Sequence, residues 1–200
     1  LASKTQAAKN GRRDIDHEFG TNPCSEIILR SAQVCNLSEV VVRPTDDIDS
    51  LTKKVELATI LGTLQSTLTD FRYVRPIWKR NTEEERLLGV SMTGIMDHPI
   101  LSTSAAEQWL QNLRQVAIDT NKKWSKKLKV QQSTAITCVK PSGTVSQLVD
   151  SWCEHKPSVT VYYSDDEFLE AGQWIWDRLD KCSGVSFLPR SDHVYQQAPY

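Results

Sequence analysis

The chain has 200 residues, of which 39% are hydrophobic and 24% are charged, a composition that is ordinary for a globular domain with a sizeable core. Its 24 basic and 25 acidic residues give a formal net charge of −1, which argues against a strongly electrostatic partner, so we expect no direct binding of nucleic acid. No run approaches the length of apolar sequence that a membrane-spanning helix needs, and the N-terminus lacks the apolar stretch of a secretory signal.

The first 40 residues are mostly polar and contain short apolar runs. The basic segment Gln6–Asp14 is interpreted as a solvated polar loop, with contact to a substrate or cofactor as the alternative. Gly20 and Pro23 predict a turn. The apolar runs Ile27–Leu29 and Val40–Val42 then predict two buried strands.

Apolar residues next recur at three- and four-residue steps and predict one long amphipathic helix that begins near Ser50 and ends before Pro76. The predicted buried stripe consists of Leu51, Val55, Ala58, Leu61, Leu64, Leu68 and Phe71. Three aspartates, the first of them Asp46, lie at the positive N-terminal end of this helix. Thr82 and the three glutamates after it predict the start of another short helix.

The second half of the chain alternates predicted strands and helices. Leu87–Asp97 predicts a buried strand with a tight glycine turn, and Ser104 with Glu107 predicts a capping box before a helix that reaches Leu128. Ser133–Val149 is typical of a strand, a turn and a helix. The final elements are a strand at Ser158–Tyr163 and a helix that Ser164 and Glu167 cap and that ends near Asp180. This alternation predicts an α/β fold.

The cysteines favour neither a metal site nor a disulfide framework. They are five in number and widely spaced, without a CxxC pair, so we expect no metal centre: Cys24, Cys35, Cys138, Cys153 and Cys182. Structural disulfides are rare in the cytosol, which is the setting that we predict for this chain. Cys138, Cys153 and Cys182 are interpreted as packing thiols.

The stretch KPSGTVS, Lys140–Ser146, is typical of an anion site at a strand-to-helix turn. Gly143 permits close approach of the backbone to a ligand, and a helix that starts there would offer free N–H groups. The candidate phosphate-binding residues are Lys140, Pro141, Ser142, Gly143, Thr144 and Ser146. The alternative is a plain turn with a serine cap.

A second candidate site surrounds Cys24. On a strand, residues two apart share a face, so Asn22, Cys24 and Glu26 would present an amide, a thiol and a carboxylate together. Such a trio suits hydrogen-atom and proton transfer on a polar substrate. The alternative is that Cys24 is a small buried residue, Asn22 a turn former and Glu26 a solvated charge.

Several motifs together resemble the ribonucleotide reductases. They are NPCSEI, then CNLSEV eleven residues later, GVSMTGIMDHP, TCVKPSGTVSQL and CEHKPSVTV. In this combination they are most similar to the adenosylcobalamin-dependent class II branch, of the monomeric ribonucleoside-triphosphate reductase type, over essentially the whole chain. The resemblance implies a ten-stranded α/β barrel with a central finger loop that carries the radical cysteine.

The resemblance also implies a role for each site residue. Cys24 would become a thiyl radical and remove the 3′ hydrogen of the ribose, and Glu26 would take the proton of the 3′ hydroxyl. Asn22 would hydrogen-bond the ribose hydroxyls. Cys35 would be one of two cysteines that reduce the 2′ position and end as a disulfide. Lys140–Thr144 and Ser146 would hold the substrate phosphates.

The implied reaction is the reduction of ribonucleoside triphosphates for DNA synthesis, with adenosylcobalamin as cofactor. The implied partners are thioredoxin or a similar dithiol and a deoxynucleotide effector, in the cytoplasm of a bacterium or of a phage-infected host. We expect a single partial barrel domain over residues 1–200, shortened internally at the 151/152 junction. The second thiol of the Cys35 pair and the C-terminal shuttle cysteines are expected outside the chain. The alternative function is a non-catalytic remnant that at most binds nucleotide phosphates.

Overall fold

The structure is a computed structural model that describes residues 2–8, 11–140, 152–153, 160–164, 167–177 and 186–189. The helices in these ranges are α1 (Ala2–Ala8), α2 (Ile48–Gln65), α3 (Pro76–Glu85), α4 (Ala106–Leu128) and α5 (Phe168–Trp176). The strands are β1 (Phe19–Thr21), β2 (Ile28–Arg30), β3 (Asn36–Val41), β4 (Leu88–Thr93), β5 (Thr160–Tyr163) and β6 (Ser186–Pro189).

Parallel pairing organises the centre of the fold. β3 and β4 run parallel, in a register from Asn36 opposite Leu88 to Val41 opposite Thr93. On its other side β4 meets residues 135–139, through a parallel bridge between Val90 and Thr137. Parallel strands joined through helices are the pattern of an α/β fold, so the predicted fold class is confirmed.

The remaining strands form separate pairs, and no closed barrel is formed within the described ranges. β1 and β2 make an antiparallel pair, and β5 and β6 make a parallel pair. This arrangement agrees with the expected partial barrel. None of the helices in the described ranges is both long enough and apolar enough to cross a membrane.

Two helices cover one face of the β3–β4 pair and form the main core with it. Leu51 and Val55 of α2 and Leu110 and Leu113 of α4 are buried in the same cluster as Val90 of β4. Each such side chain contributes about 1.5–3 kcal/mol when it is fully buried. This helical layer therefore fixes the outer side of the sheet.

A buried asparagine ties α4 to its neighbours within this layer. Asn121 Nδ2 donates to Thr63 Oγ1 of α2 and to Ser133 Oγ, at 3.0 Å each, and Asn121 Oδ1 accepts from the Ser133 backbone N–H at 3.0 Å. Asn121 has no exposed surface. These bonds join both helices to the chain that leads into residues 135–139.

The prediction for the end of α2 is wrong. The helix begins at the expected aspartates, with Asp47 as N-cap, but it ends at Gln65 rather than near Pro76. The hydroxyls of Ser66 and Thr67 bond to carbonyls of the last turn, which competes with continuation of the helix. Pro76 instead occupies the first position of α3, where its missing N–H costs nothing.

The predicted buried stripe of α2 is only partly right. Its first three members are buried, whereas Leu61, Leu64 and Leu68 are 54%, 41% and 74% exposed. The actual buried face continues instead through small and polar residues, Thr59, Gly62 and Thr63. The spacing of apolar residues alone does not distinguish the buried face of α2 from its exposed face.

Two helix starts also differ from the prediction. Thr82 lies in the last turn of α3 instead of opening a helix. α4 begins at Ala106 without a side-chain cap, so the predicted Ser104–Glu107 capping box is wrong.

The predicted glycine turn after β4 is confirmed. Gly94 has a φ of 78°, and a Cβ there would lie 2.5 Å from the carbonyl oxygen of Val42. A side chain is excluded both by this contact and by the left-handed backbone.

Candidate active site

The first part of the candidate site is a tight turn, Asn22–Ile27, that joins β1 to β2. The Ser25 N–H donates to the Asn22 carbonyl at 2.9 Å, and the Ile27 N–H donates to Asn22 Oδ1 at 3.0 Å. Ser25 has a left-handed φ of 62°. The prediction that Asn22, Cys24 and Glu26 share one face of a strand is therefore wrong. The physical reason is that the Asn22 side chain bonds to the local backbone in place of a strand partner.

Within this turn, Cys24 and Glu26 have opposite environments. Cys24 is exposed, whereas Glu26 is only 2% exposed. Glu26 Oε2 is buried and accepts no hydrogen bond from any described residue. The alternative that Cys24 is a buried packing residue and Glu26 a solvated charge is thus ruled out for both residues.

Cys35 lies immediately before β3, on the inner side of the turn. Its side chain packs against the small cluster of Ile27, Leu87, Ala135 and Cys138. Burial raises the pKa of Cys35, and the nearby charge of Glu26 raises it further, more than Arg13 and the backbone lower it. Cys35 is therefore a protonated thiol at neutral pH.

Gly89 of β4 allows the turn to approach the sheet closely. A Cβ at Gly89 would lie 2.4 Å from Leu37 Cδ2, 3.0 Å from Ile27 Cδ1 and 3.1 Å from Cys138 Sγ. Glu26, the residue before Ile27, lies close enough to this contact for its charge to raise the pKa of both Cys35 and Cys138.

Cysteines in the described ranges are not joined to one another. Cys24, Cys35, Cys138 and Cys153 form no disulfide with one another, so the first two are not partners of each other. Cys138 and Cys153 are 0% and 3% exposed, in agreement with packing roles. Cys182 lies outside the described residues. In the described ranges no three His, Cys, Asp or Glu side chains are grouped so that they could hold a metal ion.

A buried ion pair that sequence analysis missed fixes the position of the turn. Arg13 Nε and Nη2 donate to the two carboxylate oxygens of Glu85 at 2.8 Å each, and Arg13 Nη1 donates to the Ile28 carbonyl at 2.9 Å. Gln33 donates to Glu85 as well, and the guanidinium lies 4.5 Å from the centre of the Phe19 ring.

The interpretation of Gln6–Asp14 as a solvated loop is accordingly wrong at Arg13, which is 8% exposed. No local signal distinguishes Arg13 from its neighbour Arg12. Only the fold brings Glu85, 72 residues away, against it.

The second part of the candidate site is only partly described. Lys140 follows the segment that pairs with β4, and its backbone N–H lies 3.3 Å from Ser91 Oγ. The predicted phosphate-binding residues Pro141, Ser142, Gly143, Thr144 and Ser146 lie outside the described residues. Their role remains a prediction.

Comparison with known proteins identifies relatives of the chain. No protein-family model matches it. It is 30% identical, over 171 residues, to the adenosylcobalamin-dependent ribonucleoside-triphosphate reductase of Lacticaseibacillus paracasei, which covers 70% of this chain and 22% of the relative. The enzyme of the same name from Lactobacillus gasseri is 32% identical over 164 residues, 67% of this chain and 21% of the relative. The chain is homologous to part of a class II ribonucleotide reductase.

A solved structure of a B12-dependent class II ribonucleotide reductase has the same fold. Its superposition gives a TM-score of 0.66 at 19% identity and covers 92% of this chain and 40% of that chain. The present chain spans about a fifth of the length of the curated relatives that it matches. It thus corresponds to part of the length of a class II ribonucleotide reductase.

Proposed function

We propose that the chain contributes part of the catalytic core of an enzyme that reduces ribonucleoside triphosphates to 2′-deoxyribonucleoside triphosphates by thiyl-radical chemistry. One observation carries the proposal. A single turn holds an exposed thiol, Cys24, two residues from a buried carboxylate, Glu26, whose Oε2 has no partner among the described residues. A buried acceptor without a donor is costly, by about 1–3 kcal/mol or more when charged, and a ribose hydroxyl is a suitable donor.

The environments of the turn residues fit the proposed division of roles. Exposed Cys24 can meet a radical source and a substrate that approach from outside this segment, and it would remove the 3′ hydrogen atom. Glu26 would take the 3′ hydroxyl proton as general base. Asn22 uses Oδ1 to hold the turn, which leaves its side-chain N–H₂ group to donate to a ribose hydroxyl.

Cys35 would supply reducing equivalents. Reduction of the 2′ position requires an S–H that can deliver hydrogen, and the raised pKa keeps Cys35 in that form. The phosphates would be held by Lys140, Pro141, Ser142, Gly143, Thr144 and Ser146, with free backbone N–H groups as donors.

Adenosylcobalamin is the proposed cofactor, because both curated relatives described above are named as dependent on it. The exposure of Cys24 is compatible with radical transfer from a group outside this segment. The cofactor would supply a radical through homolysis of its cobalt–carbon bond. We further propose thioredoxin or a similar dithiol as reductant, a deoxynucleotide as effector, and the bacterial cytoplasm, or that of a phage-infected host, as the location.

The test is an activity assay with adenosylcobalamin, a ribonucleoside triphosphate labelled at the 3′ position and a dithiol. We expect deoxynucleotide that retains the 3′ label, because the hydrogen that Cys24 removes must return to C3′ to regenerate the thiyl, and we expect no product from Cys24→Ser. Cys35→Ser is the matched control, since it leaves the radical cysteine in place: it should lose deoxynucleotide but still pass the 3′ label to the Cys24 thiol, from which the label exchanges into water. Product formation by Cys24→Ser would overturn the assignment of the radical.

The alternative proposal is a non-catalytic remnant that at most binds nucleotide phosphates. In that case neither deoxynucleotide nor exchange of the 3′ label is observed, but triphosphate binding persists and is weakened by Gly143→Val. Titration calorimetry with the same triphosphate distinguishes the two functions.

A further inference from the structure

A cationic cavity lies along α3, away from the turn that carries Cys24. Its volume is about 690 Å³, within the range of small-molecule sites. The side chains that give it its charge are Lys79, Arg80, Glu83, Glu84, Arg86 and Lys129.

The carboxylates of this cavity are already engaged, whereas most of its cations are not. Glu83 Oε1 accepts from Thr69 Oγ1 at 2.6 Å, and Glu84 pairs with Arg30 at 2.9 Å. In the described part of the chain, Lys79, Arg80 and Lys129 form no ion pair. The four cations outnumber the two carboxylates, so the cavity carries a positive charge.

Arg86 is the buried member of the group. It is 9% exposed and adopts a left-handed backbone with a φ of 44° at the end of α3. Nη1 donates to the Ser66 carbonyl at 2.6 Å and Nη2 lies 3.9 Å from Glu83, but Nε is buried and donates to none of the described residues. A buried guanidinium with an unsatisfied donor is costly, and Arg86 adds its positive charge to the lining of the cavity.

We propose that this cavity binds a chain of linked phosphates, either inorganic polyphosphate or the phosphate chain of a nucleotide. The guanidinium group of arginine can donate two parallel hydrogen bonds to phosphate oxygens, and the compact ammonium group of lysine attracts them by its charge. Among the described residues, no aromatic side chain lines the cavity to stack on a base. Recognition is therefore of the phosphates, and none of the lining residues belongs to the segment Lys140–Ser146. The inference does not rest on the proposed catalytic function.

The test is titration calorimetry at low salt in a Gly143→Val background, which weakens the other candidate phosphate site. The probes are inorganic tripolyphosphate, a nucleoside triphosphate and orthophosphate. We expect the first two to bind with similar affinity and orthophosphate to bind at least about tenfold more weakly, because it engages fewer cations. Added salt should weaken binding, since the lysines are exposed.

Two double variants with the same change of charge locate the binding. Lys79→Ala with Lys129→Ala should lower affinity for tripolyphosphate by about tenfold or more. Lys53→Ala with Lys122→Ala removes two exposed lysines outside the cavity lining and should leave affinity unchanged. All four positions are on the surface, so folding should be retained, and circular dichroism checks this.

Absence of tripolyphosphate binding in the Gly143→Val background would overturn the proposal. An equal loss of tripolyphosphate affinity in both double variants would overturn it too. A nucleoside triphosphate that binds more than tenfold more tightly than tripolyphosphate would show base recognition and contradict it too. Failure of ribonucleotide reduction leaves this result unaffected, because the calorimetry does not depend on turnover.

Discussion

The variant Glu85→Gln should destabilise the fold strongly, because it leaves the charge of Arg13 buried without a counter-charge. The side chains of Arg13 and Glu85 are only 4% and 5% exposed, so water cannot replace the lost partner. Breaking a buried pair by removal of one member costs about 3–5 kcal/mol. Urea unfolding followed by circular dichroism measures the change through the midpoint of the transition.

The control is the exposed pair of Arg72 and Asp70, whose side chains are 75% and 74% exposed. Arg72→Ala should change the free energy of unfolding by no more than about 1 kcal/mol. Replacement of both buried partners, in Arg13→Met with Glu85→Met, should be less harmful than Glu85→Gln, since no unpaired charge remains. A cost below about 1 kcal/mol for Glu85→Gln would refute the reasoning.

The same pair predicts a pH dependence. Burial by itself raises the pKa of Glu85, but hydrogen bonds from Arg13 and Gln33 and the charges of Arg13 and Arg30 outweigh it, so the pKa lies below its ordinary value. The ionised carboxylate therefore stabilises the fold above the unfolded-state pKa of about 4.3, and this contribution is lost as the pH falls through the lower folded-state value. Urea midpoints of the native protein should fall in that acidic range more steeply than those of Glu85→Gln.

Two further substitutions test packing and polar contacts in the same urea assay. Gly94→Ala should lower the free energy of unfolding by about 2 kcal/mol or more, because it combines a left-handed backbone with a close contact on the Val42 carbonyl. Gly20→Ala should lower it far less, because a Cβ at Gly20 has no atom within 4 Å. Equal costs for the two would contradict the steric explanation. Asn121→Ala should lower the free energy of unfolding by about 2–4 kcal/mol, because it removes three buried hydrogen bonds. The control Asn112→Ala, at an exposed position, should lower it by less than about 0.5 kcal/mol. A near-zero effect of Asn121→Ala would show that these hydrogen bonds do not stabilise the packing of α4.

Sequence reasoning identified the elements whose signal is local. The strand at Leu88–Thr93 lies in a stretch of small and apolar residues, and the glycine after it is required by the turn itself. The start of α2 follows from the capping chemistry of Asp47 and Ser50. In each case the residues that cause the structure are neighbours in sequence.

The predictions fail where residues that are distant in sequence determine the local structure. The buried face of α2 is set by its packing against α4, so Thr59 and Thr63 face inward while Leu61 and Leu64 stay exposed. The spacing of apolar residues shows which positions of α2 are hydrophobic, but it does not show which face of the helix α4 will cover.

For the candidate site, the sequence suggested Cys24, Glu26 and Cys35 as site residues, which stays a prediction, and the geometry that it predicted around them was wrong. The side chain of Asn22 closes a turn, so Cys24 points to solvent and Glu26 to the interior. A strand model assigns both residues to the same face, and only knowledge of the turn separates them.

The long sequence separation of the Arg13–Glu85 pair has a consequence for the order of folding. Closure of a loop of 72 residues costs chain entropy before any contact repays it. The backbone hydrogen bonds of α3, which carries Glu85, are local and form without this closure. The turn with Cys24 is therefore expected to become ordered late, after α3 and β4 have formed. Slower docking of Arg13 would then delay completion of the site but not formation of the helices.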